Sequence, residues 1–286
     1  MSIDKLTLPA PPAPARRRRS TTLVLGIVLV SVVAAIALVS LVWLPFDPTD
    51  TAGDRLEAPS GTHWLGTDRL GRDLASQLMV GARIALLVGV GSVAIGAVLG
   101  LIVGIAAAFA FDWLDDTLSA ILDVVIAFPV LLLAMLIVAA RGASLGTAIL
   151  AIGIAISAVL ARLTRILVKR VLREQFVTAA RTSGTAWPGI VVEHVLPNVW
   201  PTLVVSLAVQ FGVAVLAESS LSYLGLGAPP PNASWGRLLQ EAQSTVVTAP
   251  IGAIAPGIAI VVLVLGVNFL ADGLRDIGDP TRRSSR

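Results

Sequence analysis

The stretch VKRVLREQFVTAARTSGTAWPGIVVEHVLPNVWP, Val168 to Pro201, sets a basic, amphipathic insert between two long apolar runs. Apolar positions Val168, Val171, Leu172, Phe176, Ala179 and Ala180 recur at three- and four-residue steps, while Lys169, Arg170, Arg173, Thr178 and Arg181 fall between them. That period predicts a helix with one apolar face. Gly184 is expected to end it, because glycine enters the positive φ of a helix terminus without strain. Pro188 suits a first helical turn, and Pro197 is expected to limit the second helix. The expected product is a helix, a turn and a short helix. Its apolar face is narrow and rich in Ala, which suits a protein groove better than burial among acyl chains.

On either side the chain reads as a membrane protein. Of its 286 residues 56% are apolar and only 14% are charged, and the mean hydropathy is +0.87. These values exclude an ordinary soluble domain. The absence of Cys excludes disulfides, thiolate metal sites and a Cys nucleophile.

A helix needs about 20 apolar residues to cross a hydrocarbon core of roughly 30 Å. Six runs meet that length: Thr22 to Leu44, Ile84 to Phe109, Leu118 to Ala140, Gly142 to Ala161, Val199 to Ser222 and Pro250 to Ala271. The first is read as a retained anchor, since it exceeds a signal-peptide core and no small-residue cleavage site follows it. An all-α polytopic protein with six transmembrane helices is expected.

Alternate connections between these spans carry fifteen Lys and Arg on one side and six on the other. The excess places both termini and the Val168–Pro201 insert in the cytoplasm. The expected organisation is a cytoplasmic tail over 1–21, in which Pro9 to Pro14 read as disordered, and a first span over 22–44. An extracytoplasmic segment over 45–83 follows, then a five-helix core over 84–271 containing a cytoplasmic loop at 162–198, then a cytoplasmic tail over 272–286. Because the positive charge is sorted by membrane side and not gathered into one stripe, nucleic acid is not an expected partner and membrane lipid is.

Ser92, Gly96, Gly100, Gly104 and Ala108 form a small-residue ridge at four-residue spacing. It reads as a helix-packing face, with pore lining as the alternative. Asp123 and Glu218 are the only ionisable residues inside the assigned spans. An acid in a span faces protein or water, so a hydrated structural role or substrate contact is expected of each. His63 and His194 fall in segments on opposite sides and cannot share a metal site. Trp43, Trp113 and Trp200 at span ends read as interfacial anchors. Residues 223–249 are expected to hold a proline corner at Pro229-Pro230-Pro231 and a surface helix from Ser234 to Gln243, as part of an outer gate or a landing site.

Ala179-Ala180, then Gly184, then Leu196-Pro197 resemble the cytoplasmic coupling motif of permease subunits in ATP-binding-cassette importers. The chain departs from that motif at Thr178, where Glu is usual, and at His194, where Ile is usual. The likeness extends along most of the chain. His63-Trp64-Leu65-Gly66-Thr67-Asp68, Leu70-Gly71-Arg72-Asp73 and Gly81-Ala82-Arg83 carry it before the second span. Asp123 with Ala127-Phe128-Pro129, His194 with Leu196-Pro197-Asn198, and Glu218 with the run Leu221 to Gly227 carry it onward. Pro229, Pro230, Ser234-Trp235-Gly236, Asn268, the run Asp272 to Asp276, and Asp279-Pro280 complete it. The chain is identified as a member of the dipeptide, oligopeptide and nickel permease family, as its C-type subunit.

The resemblance implies the type I importer permease fold in a bacterial cell membrane and import of di- or oligopeptides. Implied partners are a second related permease, two ATP-binding subunits and an extracytoplasmic substrate-binding protein. Thr178, Ala179, Ala180, Gly184, His194, Leu196 and Pro197 are then coupling residues, and Asp123, Glu218 and Tyr223 candidates for the path or its gate. The chain is expected to be no enzyme and to hold no cofactor, ATP and Mg being bound by the partners. Consistently, neither Lys5 nor Lys169 follows a phosphate-binding glycine pattern. Nickel or another small solute is the alternative cargo, and a secondary transporter working without ATPases the alternative class.

Overall fold

The computed structural model describes residues 21–51, 53–229 and 233–278. The tail expectation for Pro9 to Pro14, Pro230 and Pro231 of the expected proline corner, and the matches at Pro230 and Asp279-Pro280 lie outside the described residues. No strand is present among the described residues. Five helices are long and apolar enough to cross a membrane, and six crossings result if a pair bent by 90° counts as one span.

α1 (Thr21–Val42) and α10 (Ile251–Gly278) pack backbone to backbone. A Cβ on Gly26 would stand 2.5 Å from the Leu270 nitrogen, and one on Gly273 would meet Leu23 at 2.6 Å. Val33 and Ala37 of α1 join Val215, Trp235, Leu263 and Val267 in one apolar cluster.

α2 (Leu74–Phe109) begins ten residues before the expected Ile84. The cause is local: Asp73 caps it, accepting from Ser76 N and Ser76 Oγ, both at 2.7 Å. With 36 residues it is ~54 Å long and overshoots the hydrocarbon core. Ser92, Gly96, Gly100 and Gly104 of its small-residue ridge are buried within the chain against α5 (Leu145–Leu172), and Ala108 is half-buried. A Cβ on Gly96 would meet Ile156 at 2.6 Å, and one on Gly104 would meet the Ala161 carbonyl oxygen at 2.5 Å. The ridge is therefore a packing face and lines no pore. Gly91 faces Ile149 and Gly104 faces Thr164, so α2 and α5 run parallel.

The expected single span Leu118–Ala140 is instead α3 (Asp112–Ala127) and α4 (Val130–Arg141), which meet at 90°. Pro129 supplies the reason. It has no N–H, its ring clashes with the carbonyl of Val125, and it drives Phe128 into an extended conformation, φ −78° and ψ 129°. The acidic residues Asp112 and Asp115 occupy the first turn of α3, where the helix dipole favours negative charge.

α5 also departs from expectation. Gly142, at φ +88°, closes α4, and Ser144 caps α5 through Thr147 N at 3.0 Å. The helix then runs eleven residues past Ala161, to Leu172. α6 (Gln175–Thr182), α7 (Trp187–Ile190) and a π turn (Val191–Val195) lead into α8 (Leu196–Tyr223). Pro197 does not end the second helix. It sits in the first turn of α8, where the widened π turn keeps its ring clear of the preceding carbonyls. α9 (Trp235–Ala242) lies between α8 and α10.

The contacts of Gly273 with Leu23, of Phe46 with Ser76 and of Phe109 with Trp187 place the start of α1, the end of α10 and the α6–α7 knob at one end of the bundle. The segment before α2 and the helix α9 lie at the other.

Candidate coupling and translocation sites

The α6–α7 knob is not one helix continuing from Val168. α5 stops at Leu172, Glu174 restarts the helix in an extended conformation, and the break resets the helical phase. The residue that anchors α6 is consequently Val177, 1% exposed, while Phe176 is 42% exposed and Ala179 faces outward. Val177 and Ile190 pack with Val168, Val171, Val195, Val199 and Leu203. The sequence pattern missed both anchors because an uninterrupted period puts Val177 off the apolar face.

Gly184 ends α6 as expected, at φ +85°. Thr185 N donates to the Ala180 carbonyl at 3.1 Å and Gly184 N to that of Arg181 at 3.0 Å, closing a Schellman turn. Nothing lies within 4 Å of where its Cβ would be. Its own chain therefore asks it only for positive φ, and the space beside it is open. Beyond the turn, Trp187 packs edge-on against Phe109 with ring centroids 5.1 Å apart, and the Arg181 guanidinium lies 4.4 Å above the Trp187 ring. The half-buried His194 rests against Phe176 with centroids 5.9 Å apart, and its carbonyl accepts from the Asn198 side chain at 2.6 Å. Thr178, Ala179, Gly184 and Pro197 are exposed, and Ala180 and Leu196 half-buried. The motif is brought together as an outward patch held from beneath by apolar anchors.

At the opposite end, the residues 63–73 fold into a lid. Asp68 accepts from Leu70 N, Arg72 N, Arg72 Nε and Gln77 Nε2. Arg72 reaches on to Glu241 of α9, which also pairs with Arg237 at 2.9 Å. Burial pulls the pKa of Arg72 down, but the hydrogen bonds and charges of Asp68 and Glu241 outweigh it and hold the group above its ordinary value. His63 Nδ1 lies 3.0 Å from Asp73 Oδ1. Ser234 caps α9, Trp235 is 2% exposed and donates from Nε1 to the Leu78 carbonyl at 3.0 Å, and its ring fills the place a Gly81 Cβ would take. Gly236 lets the start of α9 touch the backbone of Ser219. α9 is thus an embedded helix, not the surface helix its sequence suggested, because one of its faces carries Trp235, Gly236, Leu238 and Ala242.

The three path candidates are separated. Glu218 is 1% exposed, enclosed where α8 meets α9, and accepts from Ser222 Oγ at 2.6 Å. Ser234, the cap of α9, is its second hydroxyl partner. Asp123 lies on α3 with its side chain 58% exposed and pairs with Arg162 Nη1 at 3.0 Å. Tyr223 ends α8 and is 37% exposed. It completes an outward strip along α8: Thr202, Ser206, Val209, Val213, Leu216, Ser220 and Tyr223, each exposed or half-buried, alternate at four- and three-residue steps, beside the half-buried Val204, Val205, Leu207 and Ala208. Cavities of about 450 Å³ beside Thr202 and Ser206 and about 340 Å³ beside Ser220 and Tyr223 lie at its two ends. The sequence signal for the strip was the placing of Ser and Thr at that spacing in an apolar helix.

Solved structures share this architecture. The inward-facing methionine ABC transporter MetNI superposes with a TM-score of 0.61 at 21% identity, covering 71% of this chain and 97% of the matched one. An amino acid ABC transporter superposes with a TM-score of 0.56 at 19% identity, covering 68% and 91%. The fold is the permease fold of ATP-binding-cassette importers. In sequence, residues 96–284 match the family described as binding-protein-dependent transport system inner membrane component. The dipeptide transport system permease protein DppC of Alkalihalophilus pseudofirmus is 38% identical over 231 residues, 81% of this chain and 76% of the relative. The glutathione transport system permease protein GsiD of Escherichia coli is 39% identical over 268 residues, 93% and 87%. The chain belongs to this family: it is a multi-pass membrane permease of a binding-protein-dependent ABC importer, and the family component it represents is not itself catalytic.

Proposed function

We propose that this chain carries di- or oligopeptides as the C-type half of a paired permease, with the α6–α7 knob in the cytoplasm seated on ATP-binding partners. The observation that carries this is the knob: small residues Ala179 and Gly184 face outward from a helix fixed by Val177 and Ile190. A groove that approaches a helix backbone closely needs such residues on the side it meets. The partners are a second related permease, two ATP-binding subunits that hold ATP and Mg, and an extracytoplasmic binding protein that meets the lid end. Both termini share the cytoplasmic side with the knob, because six crossings return them there.

The α8 strip is the part of the path this chain supplies. It offers the hydroxyls of Thr202, Ser206, Ser220 and Tyr223 among Val209, Val213 and Leu216, with no fixed charge. Such a surface satisfies a peptide backbone while tolerating side chains of either sign. Glu218 serves the gate from behind, holding the start of α9 through Ser234, and Asp123 borders the path with Arg162. Peptide cargo is also what the relatives' names indicate. The test is reconstitution of the complete complex with its binding protein and uptake of labelled dipeptides, longer peptides and nickel in parallel. ATP-dependent peptide uptake supports the reading. Uptake by this chain alone, or nickel uptake in its place, overturns it.

A further inference from the structure

Asp115 is 4% exposed, and a carboxylate so enclosed has to be paired. Its partners are two turns of one helix. Arg165 of α5 grips it with both nitrogens, Nε at 2.5 Å and Nη2 at 2.6 Å, and Lys169 Nζ contacts the second oxygen. Arg162 extends the series to Asp123 at 3.0 Å. Beneath the charges, Leu122 of α3 packs with Ala158 and Ala161 of α5.

The same two turns of α5 hold the knob. Val168 and Val171 lie with Val177 and Ile190 in one apolar cluster, while Arg165 and Lys169 project toward α3. A helix segment that short transmits displacement as a rigid piece. At its far end α3 stops at the 90° break before Pro129, whereas α4 is bound into the core through Ala134 and Val138, both buried against Ile152 and Ile156. α3 is thereby tied at the knob and freed from α4 at the break.

Resting on the ATPase-coupling reading above, we infer that Asp115 is the positioning residue that makes α3 travel with the knob, with the Phe128–Pro129 break as its pivot. A displacement imposed on α6 moves Val168 and Val171, carries Arg165 and Lys169 with them, and draws α3 through Asp115. α4 stays with the core. The outward wall of the bundle formed by Ile121, Val124 and Phe128 changes place with the state of the partner.

The test compares peptide taken up per ATP hydrolysed by the reconstituted complex, wild type against Asp115→Asn, with co-purification of all subunits as the check on assembly. Because coupling between sites is usually worth roughly 5- to 150-fold, the ratio is expected to fall by about tenfold while hydrolysis continues. A structural loss alone lowers both together and leaves the ratio unchanged. A second readout is the distance between spin labels at Thr117→Cys on α3 and Leu136→Cys on α4, in a chain that has no cysteine of its own. That distance is expected to change on ATP binding in the wild type and not in Asp115→Asn. Should Asp115→Asn fail to assemble, Lys169→Gln keeps the two-pronged Arg165 contact and is expected to lower the ratio several-fold. A wild-type ratio in the assembled variant, or an equal distance change, overturns the inference. A Gly184→Val complex run alongside separates the two failures: if it too keeps a wild-type ratio, the coupling reading itself is wrong.

Discussion

The lid and the knob, at opposite ends of the same bundle, satisfy their polar and apolar groups in different places. In the lid, Asp68, Asp73, Arg72 and Glu241 all find partners inside the chain, and Trp235 is sealed beneath α9. In the knob, Phe176 and Trp187 are 42% and 43% exposed, and a Cβ on Gly184 would meet open space. The lid is finished by its own sequence, whereas the knob leaves an outward face that, on the proposed function, another protein completes. Its two anchors set its position, and its outward face is left for contact, which places it at the low end of local stability until a partner covers it.

The largest expected effect comes from breaking the finished end. Trp235→Ala removes a ring packed on Gly81 and a hydrogen bond to Leu78. Buried Trp-to-Ala changes cost about 3–5 kcal/mol. Thermal unfolding of the purified chain in detergent is expected to shift down markedly and membrane abundance to fall. A shift no larger than that of a surface control means that α9 is not held by this ring.

Breaking the unfinished end is expected to spare folding and remove function. Gly184→Val forces a β-branched residue to φ +85° and puts bulk on the face proposed for the partner. The first cost is at least about 1–2 kcal/mol locally. Uptake is expected to fall at least about tenfold with the complex assembled. Gly184→Asn, which tolerates positive φ, separates the two causes. It is expected to lose uptake several-fold, since the volume still projects outward; normal uptake by it assigns the whole effect to the backbone.

The same contrast explains what was legible in the sequence. That the chain is a bundle of long apolar helices follows from its uncharged runs, which are a local property, and the Lys and Arg between the runs supplied the expectation of sidedness. The end of α6 was legible because Gly184 carries its own conformational signal. The 90° break between α3 and α4 was marked by Pro129, but an apolar run reads as continuous when only its length is counted. Val177 was hidden by a two-residue interruption at Arg173 and Glu174 that shifts the helical phase. Arg165 and Lys169 counted only among the charges that mark the membrane side, and Asp115 stood in no pattern. Nothing along the chain says that residues fifty positions apart meet. The burial of Glu218 likewise depends on α9 folding back over α8.

Glu218→Gln probes the lid from within. The amide keeps the shape and still accepts from Ser222, so the stability change is expected to stay near ~1 kcal/mol. Because Glu218 is 1% exposed beneath α9, uptake of free-amine and N-blocked peptides is expected to change in equal proportion. A selective loss for free-amine peptides, measured by competition against one labelled tracer, requires α9 to lift and expose the carboxylate during transport.

The smallest expected effect is at Asp123, and it sharpens the distinction between paired charges that are enclosed and those that are not. Asp123 and Arg162 are both more than half exposed, whereas the Asp115 side chain one rung away is 6% exposed. Ion pairs as exposed as Asp123–Arg162 contribute about 0.2–1 kcal/mol, because solvent or a polar path screens them and holding two long side chains in register costs entropy. Asp123→Asn is therefore expected to leave unfolding temperature and subunit assembly almost unchanged and uptake within about twofold. Arg162→Gln should match it, since each removes the same contact. If Asp123→Asn instead abolishes uptake from a fully assembled complex while Arg162→Gln does not, the carboxylate acts on what passes beside it and not on Arg162. The path then runs along α3 as well as α8, on the face that carries Asp123.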